Sequence, residues 1–286
     1  MSANNHATDS DLAEPRSGLT DAGLTNEQLS IPSAARMYDY YLGGHHNLAI
    51  DRQAAEEAIS IYPEFPLIMQ ANRAFLRRVV VYLVEQGIER FLDIGSGIPT
   101  VGNVHQIAQQ LNAAARVVYV DIDPVAVAHS AALLQGNNQA VIIEADLRQP
   151  ETILDHPAVR DLLGVRQPVA LILAFVLHFV IHDEQAVAVV RRLRDALPSG
   201  SYVVISHGTA ERMPPDIFKQ LVRLYRSTSQ PVRIRSRHEI EPFFDGVELV
   251  EPGLVYVPLW RPEEAGDLLL DRPEVSGGFA GVALKA

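Results

Sequence analysis

The chain has 286 residues, 48% of them hydrophobic and 21% charged, the proportions of an ordinary soluble globular protein. It contains no cysteine, which excludes disulfides, thiolate metal sites and a cysteine nucleophile. A net charge of −11 argues against a general electrostatic hold on nucleic acid or on an anionic membrane.

Residues 1–30 are polar, rich in Asn, Ser, Thr, Asp and Gly, and are expected to be a disordered tail. They hold no apolar core, so they do not read as a signal peptide. The longest apolar run, residues 169–181, is too short to cross a bilayer and contains His178. A cytoplasmic protein without membrane partners is expected. From residue 31 the pattern turns helical. "SAARMYDYYLGG" reads as a short helix that the double glycine ends, with Ser33 as candidate N-cap. "DRQAAEEAISIYPEF" reads as a second helix, and "PLIMQANRAFLRRVVVYLVEQG" as a long amphipathic third. Residues 31–87 are therefore expected to form a helical cap ahead of one domain over 88–286.

Strands and helices then alternate. "RFLDIGSG", "RVVYVDIDP", "QAVIIEADL", "PVALILAFVL" and "GSYVVISHG" read as strands, each followed by an amphipathic stretch. Continuous Val/Ile/Leu strands of this kind belong to parallel sheets covered on both faces. The tail differs: "VELVEPGLVYVPLW" and "GGFAGVALKA" are strand-like with no helix between them, as expected of an antiparallel edge. The expected fold is α/β, with a doubly wound, mostly parallel sheet of seven strands.

"DIGSG" lies where the first strand meets a helix, and Gly95 and Gly97 permit a sharp turn and close approach of a ligand. A dinucleotide fingerprint needs glycine at position 100, where this chain has Thr100. Asp93 on the lip of the turn suits a ligand with an ammonium group better than a pyrophosphate. Asp121 follows Gly97 by 24 residues, where an acid accepts the hydroxyls of a ribose. Asp146, at the end of the third strand run, is placed to accept from an adenine amino group. Acids at strand ends also serve as loop and cap residues.

The set "FLDIGSG", "VVYVDIDP" and "EADL" resembles class I S-adenosylmethionine-dependent methyltransferases over residues 88–210. More narrowly, "PSAARMYDYYLGGHHNLAIDRQAAE", "ANRAFLRRVV", "FLDIGSGIPTVGNVHQIAQ" and "VEPGLVYVPLWRP" are similar to one bacterial family of that class, common in actinomycetes, whose acceptor is undefined. The resemblance implies a Rossmann-like fold and S-adenosylmethionine as methyl donor. It implies that Asp93, Gly95, Ser96 and Gly97 hold the methionine portion. Asp121, Ile122 and Asp123 would hold the ribose and flank the adenine, Asp146 and Leu147 would bind the adenine, and Ala174 and Phe175 would pass near the sulfonium.

Methyl transfer from a sulfonium needs alignment and exclusion of water more than it needs a base. His178, just past the fourth strand, is the best base candidate, although "LHF" also suits a packing turn; His207 is a weaker one. His178 and His182 are four apart, but no H-E-x-x-H pattern supports a metal, and none is expected. The arginines between 223 and 237 are expected to pair with surplus acids on a solvated surface. Helices ahead of the first strand can fold over the carboxyl edge, so Arg36, Tyr38 and Tyr40 are candidates to reach the cofactor's carboxylate and a small-molecule acceptor. A plain packing helix with a glycine stop is the alternative. Two other functions stay open: a non-catalytic binder of S-adenosylmethionine or its product, and an NAD-dependent oxidoreductase.

Overall fold

The computed structural model describes residues 25, 29–98, 102–263 and 268–286. The expected tail over 1–30 and the turn residues Pro99 and Thr100 therefore lie wholly or mostly outside the described residues. Among the described residues, helices α1 (Ala34–Tyr41), α2 (Ala49–Ile61) and α3 (Phe65–Glu85) precede the sheet. The alternating part follows as β1 (Arg90–Ile94), α4 (Val104–Leu111), β2 (Arg116–Asp121), α5 (Pro124–Leu133), β3 (Ala140–Glu144), α6 (Pro150–Leu154), α7 (Pro157–Gly164) and β4 (Ala170–Ala174). Then come α8 (Asp183–Ala196), β5 (Tyr202–Gly208), α9 (Pro215–Tyr225), α10 (Arg237–Ile240), β6 (Glu248–Leu249), β7 (Val255–Tyr256) and β8 (Gly278–Leu284).

The strands run in the order β3-β2-β1-β4-β5-β8-β6, with β7 also paired to β8. β1 to β5 are parallel, and β8 runs antiparallel to β5. The chain builds outward from β1 to β3, returns to the other side of β1 and builds outward again. The crevice that ligands use in such sheets opens at that reversal, at the carboxyl ends of β1 and β4. The expected seven strands account for the main path. The eighth arises because "VELVEPGLVYVPLW" does not form one strand. Pro252 and Gly253 (φ +84°) break it into two two-residue pieces, β6 and β7, each laid antiparallel on β8.

Side chains of successive strand residues face opposite ways, and the core divides accordingly. Phe91, Val117, Tyr119, Ile172 and Val204 point to the face covered by α3. Leu92, Val118, Leu171 and Val203 point to the face covered by α6, α7 and α8. Helix α3 begins with Pro66 in its first turn and buries Ile68, Phe75, Leu76, Val79, Val80 and Leu83 as one apolar stripe. Arg78 ties it to the C-terminal segment by donating to the carbonyls of Trp260 (2.9 Å) and Val257 (3.1 Å). Trp260 is fully buried, edge-on to Phe75 and Tyr82, so the lone tryptophan pins that segment to α3.

Candidate active site

A large cavity lies over the carboxyl ends of β1, β2, β4 and β5, with about 1670 Å³ of empty space including its open mouth. Its wall includes Tyr38, Asp93, Gly95, Ser96, Gly97, Asp121, Ile122, Asp123, Asp146, Leu147, Ala174, Phe175 and His178. The fold thus brings together thirteen of the sixteen candidate residues read from the sequence, all but Arg36, Tyr40 and His207.

The glycine turn is built on two physical requirements. Gly95 has φ +74°, and a Cβ there would sit 2.2 Å from Val176 Cγ2. Gly97 has φ +63° and would meet nothing within 4 Å, so its bare backbone faces open space. Gly95→Ala combines a left-handed backbone with a clash, and is expected to cost about 2–4 kcal/mol of folding stability by urea denaturation. A loss below about 0.5 kcal/mol would show that Val176 moves aside freely.

Asp121 holds the turn: Oδ2 accepts from the Gly97 N–H (2.7 Å) and Oδ1 from the Asp123 N–H (2.9 Å). Burial pushes its carboxyl up to about 6, against the pull of those backbone donors. Burial pushes Asp93 up further, to about 7, with the Arg73 cation opposing and Asp121 adding to the rise. Asp123 caps α5 by accepting from the Val125 (2.8 Å) and Ala126 (3.2 Å) N–H groups. Asp146 lies two residues past β3 rather than at its last residue, in a two-oxygen pair with Arg148 Nε (2.9 and 3.0 Å). Phe175, the residue after β4, has φ +51°, a strained backbone for an aromatic residue, and its N–H donates to Ser206 O (3.0 Å) and Oγ (3.1 Å).

Arg36 does not reach the cavity, which corrects the expectation that it grips a cofactor carboxylate. It is 2% exposed and its donors are spent elsewhere. Nε donates to Asp51 (2.7 Å), Nη1 to Asp123 (3.1 Å) and Nη2 to the Ile31 carbonyl (2.7 Å). The same carboxylate of Asp51 accepts from the N–H groups of Ser33 (2.9 Å) and Leu48 (2.8 Å), so α1 is capped by Asp51 and not by the Ser33 hydroxyl. Asp39, 1% exposed, accepts from the His46 N–H and the Asn47 side chain, both at 2.8 Å. A Cβ at Gly44 would lie 2.0 Å from Asp39 Oδ1, so "GGHHN" wraps a buried carboxylate. Tyr40 turns away to Glu56.

The residue the sequence reading missed is Arg73. It lines the cavity, stacks over the Tyr38 ring at 5.5 Å, and its Nε is buried without a hydrogen-bond partner. One signal was legible: Arg73 interrupts the buried stripe of α3 between Met69 and Leu76. Tyr38 is held in place by donating to Met69 O (3.2 Å) and accepting from Asn72 Nδ2 (3.0 Å).

His178 stands on a 3₁₀ turn, Leu177–Phe179, in the cavity wall, its Nδ1 buried without a partner. Burial and the nearby Arg235 cation push its imidazole down to about 3. His182 is exposed and starts α8, so the two histidines share no helical face. No group of three or more His, Asp and Glu side chains able to hold a metal occurs among the described residues. His207 is not a base candidate in this fold. It is fully buried and lies outside the cavity wall. Its Nδ1 lies 2.8 Å from Gly208 O and its Nε2 3.0 Å from Arg235 Nη1. Arginine only donates, so His207 carries its proton on Nδ1.

Arg235, 1% exposed, was expected on the solvated surface with its neighbours; instead it is a strut beneath the His178 turn. It donates to Leu177 O (3.1 Å), Val180 O (2.7 Å) and Asp183 (2.9 Å) as well as to His207. Arg233 and Arg237 do pair at the surface, with Asp183 and Glu239, and with Glu241.

Comparison with known proteins agrees with this geometry. Residues 24–286 match a family described as S-adenosyl methyltransferase. A crystal structure of a DUF574 family protein from Streptomyces avermitilis is 42% identical, with a TM-score of 0.84, over 90% of this chain and 98% of that one. A candidate methyltransferase from Thermobifida fusca is 39% identical, with a TM-score of 0.84, over 96% of this chain and 99% of that one. Among curated proteins, none matches significantly. Similarity of this extent across nearly the whole chain, on a fold with the cavity where the glycine turn meets three acidic strand ends, places this protein in the S-adenosyl methyltransferase family.

Proposed function

We propose that this S-adenosylmethionine-dependent methyltransferase binds its donor along β1–β3 and methylates a small molecule held against Phe175 and His178. The donor fits unsatisfied groups of the cavity. Arg73 Nε and Ser96 Oγ are buried without partners, and Gly97 leaves its Cβ position open. A free amino acid end, with its carboxylate and ammonium, supplies what Arg73 and Asp93 lack. Asp93, Gly95, Ser96, Gly97 and Arg73 would hold that end. Asp121 would take the ribose hydroxyls on the lone pairs that its two backbone donors leave free. Ile122 and Leu147 would flank the adenine, with Asp146 near its amino group. Asp123, tied to α5 and Arg36, would hold Ile122 and the β2 turn in position.

S-adenosylmethionine supplies a methyl group on a sulfonium, the electron pair of the broken bond staying on sulfur. The chain's own work is to exclude water and align the acceptor. Helices α1 and α3 roof the cavity, through Tyr38 and Tyr41 and through Phe65 and Met69. Because Nδ1 of His178 is shut in, Nε2 is the nitrogen that a bound molecule meets. With its imidazole held down at about 3 and its proton on Nδ1, Nε2 accepts a hydrogen bond from the acceptor and orients the attacking atom toward the sulfonium, the proton leaving to solvent with the product.

The observation that carries this reading is His178 in one cavity with the glycine turn and the three aspartates. Titration calorimetry with S-adenosylhomocysteine and NAD tests the donor site: the homocysteine nucleoside should bind and NAD should not. His178→Ala should bind S-adenosylhomocysteine unchanged while turnover, read as release of that product, falls by about 10²-fold. Full turnover in His178→Ala would remove His178 from the reacting centre.

A further inference from the structure

The two ends of the cavity differ in charge. Every Asp and Arg side chain in its described wall, Arg73, Asp93, Asp121, Asp123, Asp146 and Arg148, belongs to the end built by α3 and β1–β3. The opposite wall, from Thr209 through α9 to Ile234, contributes Met213, Phe218, Leu221, Tyr225, Val232 and Ile234, and no charged side chain. This is not for want of arginines nearby. Side chains alternate along the extended segment 232–235: Val232 and Ile234 face the cavity, while Arg233 and Arg235 turn to Asp183, Glu239 and the His178 turn. The polar groups on this wall, Thr209, Gln230 and the Tyr225 hydroxyl, are neutral, and burial pushes the last up to about 12.

A charged acceptor would lose its hydration here and find no counter-charge. Rings of Phe175, Phe218 and Tyr225 offer flat apolar contact. Nε2 of His178 needs a partner, and a hydroxyl, which both donates and accepts, satisfies it in either tautomer. We infer that the acceptor is a neutral hydroxyaromatic compound, bound with its ring against the α9 wall and its hydroxyl toward His178. This inference rests on the proposed division of the cavity between donor and acceptor.

The test uses the full-length protein loaded with S-adenosylhomocysteine at about pH 7.5, where phenol-like hydroxyls stay neutral. Three probes of one shape are titrated: 2-naphthol, 2-naphthoate and 2-naphthylmethylammonium. The neutral 2-naphthol should bind at least about tenfold tighter than either ion. Gln230→Arg places a cation in the neutral wall and should narrow or reverse the preference over 2-naphthoate, with S-adenosylhomocysteine affinity unchanged. Equal or tighter binding of an ion to the wild type overturns the inference. So does an unchanged preference in Gln230→Arg, or absence of 2-naphthol binding to protein that does bind S-adenosylhomocysteine. Failure to bind S-adenosylhomocysteine at all overturns the donor reading and this inference together, so the two failures are told apart.

Discussion

Arg235→Met should lose about 3–5 kcal/mol of folding stability. The methionine keeps the length of the side chain and removes its donors. It leaves the Val180 carbonyl and His207 Nε2 as buried acceptors without partners, and the Leu177 carbonyl with only the Val180 N–H. Each such orphan costs about 1–3 kcal/mol. Asp183 is half exposed, so its charge returns to water and adds little. Asp183→Asn should therefore cost under about 1 kcal/mol. Urea denaturation of both variants decides the matter, and equal losses would show that the ion pair, not the buried acceptors, carries the stability. Because those acceptors anchor the turn bearing His178, Arg235→Met should also slow turnover at temperatures where it remains folded.

Affinity for S-adenosylmethionine should weaken as pH falls from about 7 to about 5.5, and Asp93→Asn should remove the part above about 6, leaving only the acid-end fall that Asp121 carries. Burial pushes Asp93 up to about 7 in the free protein, and the ligand's ammonium needs the carboxylate ionised. Below about 7, binding must release that proton, so Kd rises toward tenfold per pH unit. Asp121, pushed up to about 6, steepens the fall at the acid end. At about pH 7, Asp93→Asn should raise Kd by about 30-fold or more, because the ligand's buried ammonium loses its partner. Folding stability without ligand runs the opposite way. Both carboxyls hold their protons more firmly folded than unfolded, so the folded state binds more protons across about pH 4–7. Stability accordingly falls as pH rises through that window. Calorimetry at several pH values reads the first trend and thermal melts the second. A wild-type Kd constant over the range would show that Asp93 does not meet the ammonium.

Local pattern determined most of this molecule. The runs of Val, Ile and Leu, the amphipathic spacing of α3 and the turn glycines follow rules that act over a few residues, and the structure agrees with them. "DIGSG", "YVDIDP" and "EADL" predicted the charged end of the cavity because side chains at strand ends of a parallel sheet must share one edge. The tertiary structure decided what depends on partners far apart in the chain. Arg36 on α1 and Arg73 on α3 both lie ahead of β1, and either side chain could pair with a carboxylate. Asp123, 87 residues on, neutralises Arg36, and only Arg73 is left facing the cavity with a free Nε–H. Arg235 sat in a run of surface-like arginines until the packing of the segment 232–235 turned it under the His178 turn. Charge in a sequence is local, but whether a charge is spent or available depends on which distant group folding brings beside it.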